Sequence, residues 1–129
     1  YAKPSGAGLM ISPADEDPVD PQDTWPDDMV LAEGLYRFEQ MVDLPVVRPT
    51  HSWAGLRSFV SDRSPVAGFA PDSPGFFWLA GQGGFGVQSA PAMAKLARYL
   101  VNGISPQGDF SKVLEYVEEV SPERLLSEE

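Results

Sequence analysis

The sequence contains no cysteine and only one histidine among its 129 residues. The lack of cysteine excludes disulfide bonds, thiolate metal ligands and a cysteine nucleophile within the chain. A single histidine also disfavours a metal site built on imidazole ligands, so we predict no bound metal. The absence of cysteine is consistent with a cytoplasmic location, which we expect here, and peripheral association with a membrane is compatible with it.

Positive charge and long apolar runs are also scarce. Nine Lys and Arg face 19 Asp and Glu, which gives a net charge of −10. A nucleic-acid-binding surface needs clustered cations, so we predict no nucleic-acid partner. The apolar runs are far shorter than the ~20 residues of a bilayer-spanning helix, so we predict no transmembrane segment. The chain begins with Tyr1 rather than Met, and we expect it to be part of a longer protein.

Turn residues divide the chain into short strands and helices, which predicts an α+β fold. A helix that begins between Gly86 and Ser89 is rich in alanine, and we predict that it buries Ala90, Met93, Ala94, Ala97, Leu100 and Val101. The predicted elements are a hairpin within residues 1–11, a proline-rich acidic loop over 12–28, a helix capped by Thr24 and ended by Pro45, an extended segment over 46–60, strands over 66–70 and 76–80, a helix from between Gly86 and Ser89 to Asn102–Gly103, and a last helix from Asp109 to about Val120.

A glycine-rich loop between an apolar strand and a helix is the most informative feature. Four glycines stand among residues 81–86, and they let bare backbone approach a flat or charged ligand at a helix N-terminus. The spacing matches G-x-G-x-x-G, but no second strand with a ribose-binding acid follows, which disfavours the dinucleotide-binding role. Two interpretations stay open: a structural tight turn, or a loop against a planar, electron-rich group. Gln88 either donates into the same pocket or caps the helix.

Arg57 and Tyr1 are the other candidates. Alternation in the extended segment places Arg57 on one face with Trp53, Gly55 and Phe59. A guanidinium among aromatic side chains requires a partner, and its fork matches a carboxylate. An internal ion pair, an exposed arginine and a ligand contact all satisfy this pattern. Tyr1, on a predicted strand, belongs either to the core or to a site.

Taken together, these motifs resemble a known family. The His51-Ser52-Trp53-Ala54-Gly55-Leu56-Arg57 run, the Ser64-Pro65 turn and the Gln82-Gly83-Gly84-Phe85-Gly86-Val87-Gln88 loop occur in the same order. The chain resembles the C-terminal portion of the D-amino-acid oxidase superfamily of FAD-dependent oxidoreductases, and most narrowly the bacterial D-arginine dehydrogenase branch. The resemblance covers nearly the whole chain and is weakest over the last 25 residues.

The resemblance implies a domain organisation and a set of site residues. Residues 1–59 would belong to an antiparallel-sheet substrate domain, residues 60–103 to the C-terminal part of an FAD-binding domain, and residues 104–129 to a helical tail. The remaining N-terminal part of the flavoprotein would be a partner, and copies of the isolated chain are expected to associate. The implied flavin contacts are Gly83, Gly84, Phe85, Gly86, Val87 and Gln88. The implied substrate contacts are Tyr1, Gly55, Arg57 and Gly84.

The implied reaction is oxidation of a D-amino acid, including basic ones such as D-arginine, by hydride transfer from Cα to the flavin of FAD. The imino acid then hydrolyses to a 2-oxo acid and ammonia. No side chain in this chain is identified as a catalytic base. Phe85 departs from the pattern, because close relatives often have tyrosine there. Two alternatives are a glycine- or sarcosine-type amine oxidase and a non-enzymatic module whose acidic surface binds a protein partner.

Overall fold

The computed structural model describes residues 1–46 and 48–126. The chain has an α+β fold that forms two compact units, Tyr1–Leu56 and Arg57–Glu129. No helix in the described ranges is both long and apolar enough to cross a membrane. Whether these units correspond to a substrate domain and a part of an FAD-binding domain stays a prediction.

The first unit consists of a β-hairpin and a helix. Strand β1 (Ala2–Ser5) pairs antiparallel with β2 (Gly8–Ile11), in register Ala2 with Ile11, which confirms the predicted hairpin. Helix α1 spans Asp28–Met41. Gly34 of α1 is buried against Pro13, and a Cβ on Gly34 would lie 2.7 Å from the Pro13 Cγ. A glycine at this position therefore permits close approach of the loop to the helix.

The predicted boundaries of α1 were wrong at both ends. The cap is Asp27, not Thr24: its carboxylate accepts hydrogen bonds from the backbone N–H groups of Met29 and Val30 at 2.8 and 3.0 Å. Trp25 precedes a proline, which disfavours helical backbone there and delays the helix start. The helix ends at Met41 rather than running to Pro45, because Val42 has extended backbone with φ −139° and ψ 145°.

The second unit contains a hairpin, a long helix and a C-terminal helical segment. Strands β3 (Val66–Phe69) and β4 (Phe77–Ala80) pair antiparallel, and helix α2 spans Gly86–Asn102. A 3₁₀ segment, Gly108–Tyr116, is followed by the short helix α3 (Val117–Val120) and a 3₁₀ turn, Pro122–Leu126. Both strands and α2 confirm the predictions, and Gly103 closes α2 in the left-handed conformation with φ 68°.

The core of this unit corrects the predicted buried face of α2. Its buried members are Ala67, Met93, Leu96 and Val120. Leu96 was not predicted, whereas Ala90, Ala94 and Val101 are exposed. The core forms on the side of α2 that β3 and the C-terminal segment cover, with Tyr99, Leu100, Val113, Leu114 and Val117 packed around it. Helical periodicity identifies an apolar face but does not say which part of it another element covers.

Two further predictions of regular structure were wrong. The described part of the extended segment, residues 46 and 48–60, contains no strand, and Val47 lies outside the described residues. Its one backbone bond to the glycine loop, from the Gly83 N–H to the Ser58 carbonyl at 3.0 Å, does not form a ladder. The predicted last helix is mostly 3₁₀ rather than α, and only Val117–Val120 is α-helical.

Candidate functional site

The glycine loop follows directly after β4, and two of its glycines have positive φ angles. Gly81 has φ 68° and is buried beneath Val60, whose Cγ1 would lie 3.2 Å from a Cβ on Gly81. Gly83 has φ 51°, and a Cβ there would lie 2.4 Å from Cε1 of Phe59. Both positions favour glycine, because any other residue would have a strained backbone there. A side chain at position 83 would also collide with Phe59, and one at position 81 would be in tight contact with Val60. The loop is therefore held from beneath by side chains of residues 59–66.

From Gly83 onward the loop lies at the surface. A 3₁₀ turn, Gly83–Phe85, is closed by the Phe85 N–H donating to the Gln82 carbonyl at 3.0 Å, and it leads directly into α2. Val87 is 95% exposed and Phe85 54% exposed, and Gly84 and Gln88 are exposed as well. The structure therefore presents the N-terminus of α2 to solvent rather than sealing it beneath packed side chains.

The N-terminus of α2 has neither a side-chain cap nor an acidic residue in its first turn. The first N–H groups of a helix lack intrahelical carbonyl partners, and they carry the positive end of the helix dipole. The Ser89 hydroxyl donates to the Phe85 carbonyl at 2.8 Å rather than capping these N–H groups. A group with negative charge or high electron density is therefore favoured beside Gly84–Gln88.

Arg57 lies beside this helix start. A Cβ built on Gly84 would be 2.9 Å from Nη1 of Arg57, so the absence of a side chain at Gly84 makes room for the guanidinium. The guanidinium carbon is 5.4 Å from the centroid of the Phe59 ring, within the range of a cation–π contact. The structure thus brings together two residues that the sequence singled out separately, Arg57 and Gly84.

A turn between Phe59 and β3 supports the same surface, and sequence reasoning did not identify it as part of a site. Arg63 has a left-handed backbone, with φ 62°, and its guanidinium carbon is 5.9 Å from the Phe59 ring centroid. Asp62 accepts from the Ser64 N–H at 2.9 Å and from Nε of Arg124 at 2.6 Å. The hydrogen bond from Arg124 lowers the pKa of Asp62 to about 2, and the Ser64 N–H contributes in the same direction.

The remaining predicted site residues, Tyr1 and Gly55, belong to the first unit. The Tyr1 amino group donates to the Ser12 carbonyl at 2.9 Å, which extends the pairing of the first hairpin, and Tyr1 is 72% exposed. Tyr1 also lines an open groove of that unit together with Phe38 and Trp53. Gly55 is exposed, and a Cβ there would meet nothing within 4 Å. Their roles as substrate contacts stay predictions.

The described ranges contain no cluster of three or more His, Cys, Asp or Glu side chains that could hold a metal ion. The chemistry of the candidate site instead comes from a guanidinium, a helix N-terminus and a glycine-lined surface. These groups match a planar, electron-rich ligand together with a small carboxylate.

A comparison with known protein families identifies the family of this chain. The sequence model of the family described as DAO, FAD dependent oxidoreductase, matches residues 1–100. The match includes the glycine loop, Arg57 and the other predicted site residues, and it covers most of the 129-residue chain. The chain therefore belongs to the DAO family of FAD-dependent oxidoreductases, and its cofactor is FAD.

Proposed function

We propose that this chain contributes the flavin-facing loop and the carboxylate-binding arginine of a flavoprotein that oxidatively deaminates D-amino acids. The observation that carries the proposal is the approach of Arg57 Nη1 to the bare backbone of Gly84, at the open N-terminus of α2. A carboxylate bound by Arg57 would lie next to the loop that faces the flavin. Basic substrates such as D-arginine are the first to test, because the sequence most resembles that branch.

The residues at the start of α2 fit FAD. Gly84 has no side chain that would occupy the space above the loop, and no acidic residue of the first turn would repel an anionic ring. We assign the flavin contacts to Gly83, Gly84, Phe85, Gly86, Val87 and Gln88. When bound, FAD accepts the hydride that leaves Cα of the substrate. The backbone N–H groups of this segment would stabilise the negative charge that the flavin gains.

Arg57 would bind and orient the substrate. A guanidinium can hold a carboxylate through two parallel hydrogen bonds, which fixes the direction as well as the position of Cα. In this account, orientation and electrostatics supply most of the rate enhancement, and this chain supplies no strong base. The hydroxyl of Tyr1 and the bare backbone of Gly55 are proposed as further substrate contacts.

The proposal also covers the context of the chain. We infer that a further part of the flavoprotein binds the pyrophosphate of FAD, so that this chain alone binds FAD weakly and is inactive. Large apolar side chains are exposed in both units, including Trp53 at 68% and Leu79 at 49%. Such surfaces favour association, either with the rest of the flavoprotein or between copies of the chain. A cytoplasmic location is part of the same proposal.

The test uses the flavoprotein that contains this chain. We expect flavin absorbance in the purified protein, and anaerobic bleaching of that absorbance by D-amino acids but not by their L-enantiomers. Bleaching by sarcosine or glycine alone would indicate an amine oxidase of the glycine and sarcosine type. A protein without flavin absorbance would contradict both enzyme functions and favour a non-enzymatic interaction module.

Replacement of Arg57 tests the carboxylate contact directly. We expect Arg57→Gln to weaken substrate binding by about 2–4 kcal/mol, roughly 30- to 1000-fold in KM, because a buried charge pair with the substrate is lost. Arg98, exposed on α2, provides the matched control, since Arg98→Gln removes the same charge away from the loop. Unchanged KM in Arg57→Gln would remove Arg57 from the site.

A further inference from the structure

The C-terminal segment is tied to the turn of residues 60–65 by Arg124. Its guanidinium holds both carboxylate oxygens of Asp62, from Nε to Oδ2 at 2.6 Å and from Nη2 to Oδ1 at 3.1 Å. Nη2 also donates to the carbonyls of Ser64 and Pro65 at 2.9 and 3.3 Å. The Arg124 side chain is mostly buried, so water competes little for these bonds. One side chain thus joins several polar groups of the turn to the last 3₁₀ segment.

The glycine loop lies against the same turn. A Cβ on Gly81 would lie 3.2 Å from Cγ1 of Val60 and 3.9 Å from the carbonyl oxygen of Ser64. That oxygen is one of the acceptors of Arg124. The turn is closed by the Arg63 N–H, which donates to the Val60 carbonyl at 2.9 Å. A displacement of the turn would therefore reach the glycine loop directly.

The residues that lead into the turn hold the part of the loop assigned to the flavin. The Gly83 N–H donates to the Ser58 carbonyl at 3.0 Å, and Gly83 lies against the Phe59 ring. Arg57, the next residue back along the chain, has Nη1 beside Gly84. Fixing the turn therefore fixes the backbone from which these residues reach the loop. Such alignment matters for rate, because a misplacement of about 1 Å can slow a reaction roughly 100-fold.

We propose that Arg124 is a positioning residue of the candidate site: it fixes the turn on which the glycine loop rests, and through the turn the alignment of that loop with Arg57. The inference rests on the proposed function, in which Gly83–Gln88 face the flavin. Arg124 acts through Asp62 and Ser64 rather than by contact with a ligand. Arginine suits this role better than lysine, because one planar guanidinium donates to a carboxylate and to backbone carbonyls at the same time.

Hydrogen exchange at the Gly83 N–H reports on the loop in the FAD-free flavoprotein, before any ligand contributes. It is measured together with urea unfolding for the original protein and for Arg124→Gln, Arg124→Lys and Val120→Ala. Val120→Ala is the matched control, because Val120 is a core residue of the same C-terminal segment and its truncation lowers stability without removing a hydrogen bond to the turn. The dissociation constant of FAD and the limiting rate of flavin bleaching by D-arginine are measured for the same variants.

We expect Arg124→Gln to speed exchange at Gly83 about tenfold beyond what its loss of global stability explains, because the loop opens locally. Affinity for FAD and the bleaching rate should each fall about tenfold, since the loop and Arg57 lose their alignment. Arg124→Lys should lie between the original protein and Arg124→Gln. Val120→Ala should change exchange at Gly83 only as far as its global stability predicts, and it should leave the FAD dissociation constant within about twofold.

Three outcomes separate this role from the proposed function. If exchange at Gly83 follows global stability in Arg124→Gln as it does in Val120→Ala, the positioning role is overturned and the proposed function stands. Faster exchange with unchanged FAD affinity and bleaching would overturn both the positioning role and the flavin contacts assigned to the loop. A flavoprotein that D-amino acids do not bleach would contradict the proposed substrate, while exchange and FAD affinity would still decide the role of Arg124. Asp62→Asn weakens the same ion pair and replaces Arg124→Gln if that variant does not fold.

Discussion

The two longer helices of this chain begin in opposite ways. The first turn of α1 is satisfied by its own sequence: Asp27 accepts from the N–H groups of Met29 and Val30, and Asp28 adds a second negative charge. The first turn of α2 has no side-chain cap and no acid, and it follows a loop whose glycines are held by Phe59 and Val60. A side-chain cap stabilises a helix. An uncapped helix N-terminus that is exposed to solvent instead has backbone N–H groups available to bind a ligand. This difference supports the proposal that the start of α2, and not that of α1, faces the flavin.

The largest effect is expected from filling the space at Gly83. Gly83→Ala would place a methyl group against the Phe59 ring in a left-handed backbone, and we expect a loss of about 2–4 kcal/mol in the free energy of unfolding. Gly103→Ala at the end of α2 is the control, because Gly103 also has positive φ but nothing within 4 Å of a Cβ. The control should lose only about 1–2 kcal/mol in urea unfolding. Equal losses would mean that the contact with Phe59 carries no weight.

A smaller effect should follow from giving α2 the charge that α1 has. Gln88→Glu adds an acid to the first turn of α2, and we expect the FAD-free protein to gain about 0.3–1 kcal/mol while its affinity for FAD falls. Asp28→Asn makes the reverse change in α1, so it should lose a similar amount of stability and leave FAD affinity unchanged. Thermal unfolding and FAD titration measure both quantities. Tighter FAD binding by Gln88→Glu would contradict the assignment of this helix start.

The smallest effect at neutral pH is expected from the turn beside the site. The pKa of Asp62 is lowered from 3.8 to about 2 in the folded chain, so its contribution to stability is complete above pH 3.8. It is lost as the pH falls from there through about 2. Asp62→Asn should therefore be less stable than the original protein at pH 5, and the difference should shrink towards pH 2. A difference that stays constant over this range would show that the ion pair with Arg124 does not stabilise the fold.

Local sequence signals explain which parts of the fold could be predicted. Both hairpins follow from turn residues next to short apolar runs, and the end of α2 follows from Gly103. The cap of α1 was misplaced because two candidate caps, Thr24 and Asp27, compete within four residues, and the proline after Trp25 decides between them. Such competition is local, but its outcome depends on backbone preferences that a motif does not express.

The unpredicted parts depend on contacts that are distant in sequence. Asp62 and Arg124 are 62 residues apart, and no spacing rule connects them. The segment before Val60 has strand-like alternation, but no neighbouring strand pairs with its described residues, so it stays irregular. The alternation nevertheless placed Arg57 and Phe59 on one side, in agreement with the contact between them. The sequence could therefore indicate Arg57 as a candidate, but not the turn beside Phe59.

Hydrogen exchange at the two helix starts tests the central claim most directly. Amide exchange of the flavoprotein is measured with and without FAD, by mass spectrometry or NMR that resolves residues 84–88 and 28–30. We predict that FAD slows exchange within Gly84–Gln88, apart from Phe85, whose N–H already donates to the Gln82 carbonyl, because the other N–H groups gain a ligand. Exchange at Met29 and Val30 should stay unchanged, since Asp27 already caps them. Unchanged exchange at Gly84–Gln88 in a protein that binds FAD would contradict the account.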